Sequence, residues 1–96
     1  MKSIKLVSLV GSFAENKDVA REIRVKQIIP ALEEGKEVTL NFEGIEAATQ
    51  SFVHALISDV IRKYGIEVVD KVYFKNCNDT TKKIINIVVE YMQESE

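Results

Sequence analysis

The chain has 96 residues, which fits one domain spanning 1–96, and its 46% hydrophobic content is enough for a core without staples. Thirteen basic and 15 acidic residues leave a net charge of −2. That balance argues against nucleic-acid binding, since gripping a phosphate backbone takes clustered Lys and Arg. One Cys and one His exclude an internal disulfide and the usual structural zinc site.

"MKSIKLVSLVGSF" is too short and too interrupted for a signal peptide or a membrane span. The expectation is a cytoplasmic protein with no metal, no cofactor and no membrane contact. In chain order, Ile4 to Val10 is rich in β-branched residues and reads as a strand. "NKDVAREIRVKQII" reads as a helix, with Asn16 as N-cap and Asp18 in the first turn. Pro30 is expected to kink or end it, and "ALEEG" to add a turn closed by Gly35.

Glu37 to Phe42 is the second strand, and Gly44 marks a turn beyond it. Residues 50–64 form the second helix, closed by Gly65, with Phe52, Leu56 and Val60 recurring every four residues. Lys71 to Lys75 is the third strand. Asn78 or Asp79 then caps a third helix whose inner stripe is Ile84, Ile85, Val88 and Met92. "QESE" reads as a solvated tail. Strand–helix alternation predicts an α/β fold, a mostly parallel sheet covered by helices, with Phe42, Phe52, Leu56, Val60, Ile84 and Val88 in its core. Function in such sheets sits where strands end and helices begin, here Asn41 to Ser51 and Asn76 to Asp79.

His54, Ser58 and Arg62 share a spacing of four, which predicts a solvated or partner-facing row. A working Ser–His pair needs an orienting acid and an oxyanion hole, and no motif supplies them. Cys77 precedes a helix start but has no second Cys. Its expected role is a small loop or core residue. The glycines are isolated, so no phosphate loop is present. No enzyme activity is expected. Thr49, Gln50 and Ser51 admit two readings. A hydroxyl there can cap the helix, or it can be a phosphate-accepting site beside unpaired N–H groups.

"VTLNFEGIEAATQSFVHALI" resembles the central motif of the STAS-like domains of unknown function, bacterial and archaeal relatives of the anti-sigma-factor antagonist fold. The matching residues are Asn41, Phe42, Gly44, Ser51 and Phe52. "DVAREIR" and "VYFKNCND" resemble that family's first helix and last strand–turn. In the antagonist branch the corresponding loop carries Asp-Ser-Ser-Gly, and a kinase of the histidine-kinase-like ATPase fold phosphorylates its second serine. That serine falls on Ser51. Thr49 stands where the motif has Asp, Gln50 where it has the first Ser, and Phe52 where it has Gly.

The resemblance implies a non-catalytic regulatory domain of bacterial signalling. Its partner would be a protein, of the histidine-kinase-like ATPase type. Ser51 would be the phosphorylation or switch site. Glu43, Glu46, Thr49, Gln50, His54, Asn76 and Asn78 would form the partner-binding edge. The alternative is a small-ligand or nucleotide-binding sensor, since some STAS domains bind nucleotides.

Overall fold

The computed structural model describes residues 2–94. The elements are β1 (Lys2–Lys5), α1 (Val7–Val10), β2 (Phe13–Ala14), α2 (Lys17–Ile23), a π-helical turn (Arg24–Ile28) and α3 (Ile29–Glu33). They continue with β3 (Val38–Asn41), β4 (Ala47–Ala48), α4 (Gln50–Tyr64), a 3₁₀ segment (Ile66–Lys71), β5 (Val72–Lys75) and α5 (Asp79–Glu94). The main sheet has three strands in the order β1-β3-β5, and both pairings are parallel. Crossovers between parallel strands keep one hand, so sequential order sends the helices to one face.

Burial follows that arrangement. Ile4, Val38, Leu40 and Val72 point inward and are buried, whereas on the opposite face Ser3, Lys5, Tyr73 and Lys75 of the outer strands are exposed and Thr39 of the central strand, in register between Ser3 and Tyr73, is buried. The core gathers Leu6, Leu40, Phe42, Phe52, Leu56, Val60 and Val88. Ile84, expected in the core, is only half-buried, whereas Ile85 of the same expected stripe is buried. Ser58 is buried, so the predicted His54–Ser58–Arg62 row does not exist as a surface. Helix α4 packs against both α2 and α5, which leaves it only a narrow exposed face. Among the described residues no helix is long and apolar enough to cross a membrane.

The first strand is shorter than its β-branched run. β1 can pair only along the four residues of β3, and the last bond of that stretch is Leu6 N–H to the Asn41 carbonyl at 3.1 Å. Beyond it the chain coils into α1, and the Ser8 hydroxyl donates to the Lys5 carbonyl at 2.7 Å. Pairing, not propensity, sets the strand's length.

Pro30 does not stop the first helix. The preceding turn widens into a π-helix and the chain continues as α3. A π-turn relaxes the ladder at the place where proline removes an N–H and crowds the turn behind it. Gly35, at φ +79°, ends α3. Its N–H donates to the Leu32 carbonyl and that of Lys36 to Ala31, each at 3.0 Å, the paired bonds of a Schellman cap. The third helix continues to Glu94, beyond the start of the expected tail, while Ser95 and Glu96 lie outside the described residues.

Two clusters tie helices together. Arg24 donates to the Ala55 carbonyl at 2.7 Å and pairs with Asp59 at 3.1 Å, fixing the first helix to α4. Tyr64 at the end of α4 donates to Glu33 at 2.5 Å, and Lys63 pairs with Glu33 at 3.2 Å. Partial burial and the bond to Glu33 push the Tyr64 phenol up to about 12. The Tyr64 bond, then Lys63, hold the Glu33 carboxyl below its ordinary value.

Two outcomes are expected. Phe52 is wholly buried, so Phe52→Ala should cost about 3–5 kcal/mol in a chemical melt. The Tyr64 phenol is raised in the folded state, so its contribution is complete below pH ~10, the ordinary tyrosine value. It should vanish as pH climbs through about 12. Tyr64→Phe should remove that part of the alkaline loss of stability, read as melting midpoint against pH beside wild type.

Candidate functional site

The three main strands end at one level, and Asn41 joins them there. Its carbonyl accepts from Leu6 N–H, and Phe42 N–H donates to the Lys75 carbonyl at 2.8 Å. The Asn41 side-chain oxygen accepts from Glu43 N–H and from the Asn76 amide, both at 2.9 Å. Asn76 reaches it from the left-handed region, φ +59°, which asparagine tolerates better than most side chains. The Asn78 amide donates to the Glu46 carbonyl at 2.7 Å, and its oxygen caps α5 by accepting from Thr81 N–H at 2.8 Å. Asn76 and Asn78 therefore hold two loops together.

The loop between β3 and α4 is held from its other side by β2. Glu46 N–H donates to the Ser12 carbonyl at 2.8 Å and Thr49 N–H to Ala14 at 2.9 Å. Phe13 pairs in register with Ala47. Gly44 has φ +86°, and a Cβ there would lie 3.1 Å from a Val7 methyl, so both backbone conformation and close approach call for glycine. The loop is therefore a fixed platform for the start of α4.

At that start the two hydroxyls divide. Thr49 is the N-cap, and its Oγ1 accepts from Phe52 N–H at 3.1 Å. Ser51 lies in the first turn, exposed, and its hydroxyl makes no hydrogen bond among the described residues. Phe52, the next residue, is sunk in the core and fixes the turn from beneath. Ser51 is therefore not the cap, and its hydroxyl is free to react or to bind.

Of the other expected edge residues, Glu43, Glu46 and Gln50 are exposed and Thr49 and His54 are half-buried. The His54 ring lies 6.3 Å from that of Tyr91 on α5, tilted by 56°. Cys77 is half-buried, and burial pushes its thiol pKa up, against a smaller opposite pull from Lys82. That holds it as a thiol, as befits a loop residue.

Two neighbours of the edge went unnoticed in the sequence. Phe13 is 57% exposed although it sits on a paired strand. The turn residues before it, Gly11 and Ser12, were the available signal. Lys17, the first residue of α2, lines an open groove with Gln50, Ser51, His54 and Ala55. Nothing local links Lys17 to Ser51; the packing of α2 on α4 does. Among the described residues no group of His, Cys, Asp and Glu is arranged to hold a metal ion.

A family model described as a STAS-like domain of unknown function matches residues 19–82. The match runs from the first helix to the start of α5 and includes the whole β3–α4 loop. No curated protein and no solved structure matches the chain.

The division of the hydroxyls has a measurable consequence. Thr49→Ala should cost about 1 kcal/mol of stability through the lost cap. Ser51→Ala, at an exposed and unbonded position, should stay within about 0.5 kcal/mol of wild type. Parallel denaturant melts of the two variants check the assignment, and the reverse order would make Ser51 the cap.

Proposed function

The chain belongs to the family of STAS-like domains of unknown function, and from that premise we propose that it is a non-catalytic regulatory domain that binds a partner protein through the C-terminal edge of its sheet, with Ser51 as the switch. One observation carries the reading. Ser51 is an exposed, unbonded hydroxyl on a rigid helix start whose capping is done by Thr49. Its modification therefore costs the fold no bond.

The partner is a protein of the histidine-kinase-like ATPase type in bacterial signalling, as the resemblance to the antagonist branch implies. Such a partner would transfer the terminal phosphoryl of ATP to the Ser51 oxygen. The new O–P bond replaces the bond to ADP, and the hydroxyl proton leaves to a base on the partner. The docking edge comprises the 43–51 loop with Glu43, Glu46 and Gln50, and the exposed part of α4 with His54. The Asn76–Asp79 turn completes it. Phe13 supplies an apolar contact beside it, of the kind that interface cores favour.

The switch acts through desolvation. A hydroxyl is readily covered by a partner. A phosphate brings a charge of about −1.5 to −2, and the centre of an interface is where charge is most depleted. The α4 N-terminus tolerates the added charge within the free domain, so the fold survives while docking weakens.

Titration calorimetry of the chain against a candidate histidine-kinase-like ATPase tests this. Ser51→Ala should bind like wild type. Ser51→Asp should bind about tenfold or more weakly, a difference near 1.4 kcal/mol, with an unchanged circular dichroism spectrum. Equal affinities for all three would leave Ser51 an ordinary solvent-facing residue.

A further inference from the structure

We propose that a phosphate on Ser51 is held in the groove between α2 and α4 by Lys17 and His54, which makes these two the residues that recognise the modified state. This rests on the reading of Ser51 as the switch and adds what receives the charge.

The groove is open, about 450 Å³, and wide enough for a phosphate group. Its lining brings two nitrogen bases from two different helices to one hydroxyl. His54 stands three residues after Ser51 on α4, a spacing that puts the two side chains on neighbouring positions of one face. Lys17 comes from the start of α2 and lines the same groove. Ala55 leaves the groove floor open, and the exposed Gln50 amide adds a neutral donor.

Lys17 forms no ion pair among the described residues. It also stands where a cation gains nothing from its own helix, since the first turn favours negative charge. Its exposed ammonium is therefore available to an anion at Ser51.

Two carboxylates lie nearby. Asp18 and Asp59 line the adjoining stretch of groove with Lys17, Arg21 and Arg24. Asp59 is held by Arg24 and Arg62 at 3.1 and 2.8 Å, whereas the exposed Asp18 carboxylate has no ion pair among the described residues and stands at the α2 start, where the helix dipole favours it. From α5 the Tyr91 ring lies beside His54, at 6.3 Å between centroids. The Lys17 ammonium beside a phosphate favours its dianion, and a His54 ring N–H can donate to the same oxygens, so the phosphate's second ionisation should fall below the ordinary value.

The test uses the full chain carrying phosphoserine at position 51, introduced by genetic encoding, so that no kinase need be known. Phosphorus NMR reads the phosphate's second pKa, about 6 when unperturbed. The expected midpoint is lower by roughly half a unit or more. Lys17→Ala and His54→Gln should each move it back towards 6, the double variant should move it further, and Lys17→Arg should retain the depression. A depressed midpoint that none of these variants moves would assign the effect to the helix start alone and overturn the proposal, as would an unshifted midpoint. Circular dichroism on the same samples confirms that each variant is folded. Binding of the same phosphoprotein to the ATPase separates the two ideas. An unchanged affinity with a Lys17-dependent midpoint defeats the switch and leaves the phosphate site standing.

Discussion

The structure depends on how its central strand ends. β3 has four residues, and both neighbours pair along that length and no further. Asn41 sits at its last position and bonds in three directions: to Leu6, to the backbone of Glu43, and to Asn76. An aspartate could accept the same backbone and amide bonds. A leucine or valine would leave Glu43 N–H and the Asn76 amide to find other partners, at a cost set by their burial. Because the three strand ends are tied at one level, the following loops emerge side by side. The edge is thus a consequence of sheet register before it is a binding surface.

Rigid support and free chemistry then fall to different residues. Thr49, Asn76, Asn78 and Gly44 hold the platform, through a cap, two amide bridges and a positive-φ backbone that passes close to a Val7 methyl. Glu43, Glu46, Gln50 and Ser51 stand on it with their side chains exposed. Phe52 links the halves, its N–H bound by the Thr49 cap and its ring buried below. A hydroxyl presented this way differs from one on a mobile loop. Its direction is set before any partner arrives, and less entropy is lost on docking.

Much of this was legible in the sequence, because it rests on local chemistry. Asn16, Gly35 and Gly65 mark helix ends through capping and positive φ, which a short window reveals. The second helix, 50–64, was read with the bounds it has, since a Thr cap and a terminal Gly frame a strong four-residue period. What failed depended on the third dimension. The Ile4–Val10 run was too long for its pairing partner. Ser58 became buried because α4 has neighbours on both flanks, a fact no period records. Ile84 lies shallower than expected while Ile85 is buried as expected, because two adjacent residues of a helix cannot both point along the centre of one stripe. Within the site, Ser51, Gln50, Glu43 and Glu46 could be named from the strand–loop–helix motif. Lys17 and Phe13 could not, because they reach the edge only through helix packing and a two-residue strand pair.

The polar face of the sheet bears on why the proposed docking surface lies at the strand ends. All-parallel sheets are usually covered on both sides, and their strands are apolar throughout. Here Ser3, Lys5, Tyr73 and Lys75 alternate with Ile4, Val72 and the half-buried Phe74. The alternation suits a face in contact with water. Tyr73 is tied along it to Glu37 at 2.8 Å, and the charged side chains discourage hydrophobic association. With helices on one face and a charged, wet surface on the other, an approaching partner meets organised, outward-facing backbone and side chains at the ends of the strands. At the end where α4 begins lie an exposed aromatic, a spare hydroxyl and a cation without an ion pair among the described residues, whereas the other end carries the Tyr64–Glu33–Lys63 cluster, whose groups are engaged with one another. The recognition proposed at the first end rests on the same four-residue register that limits the strands.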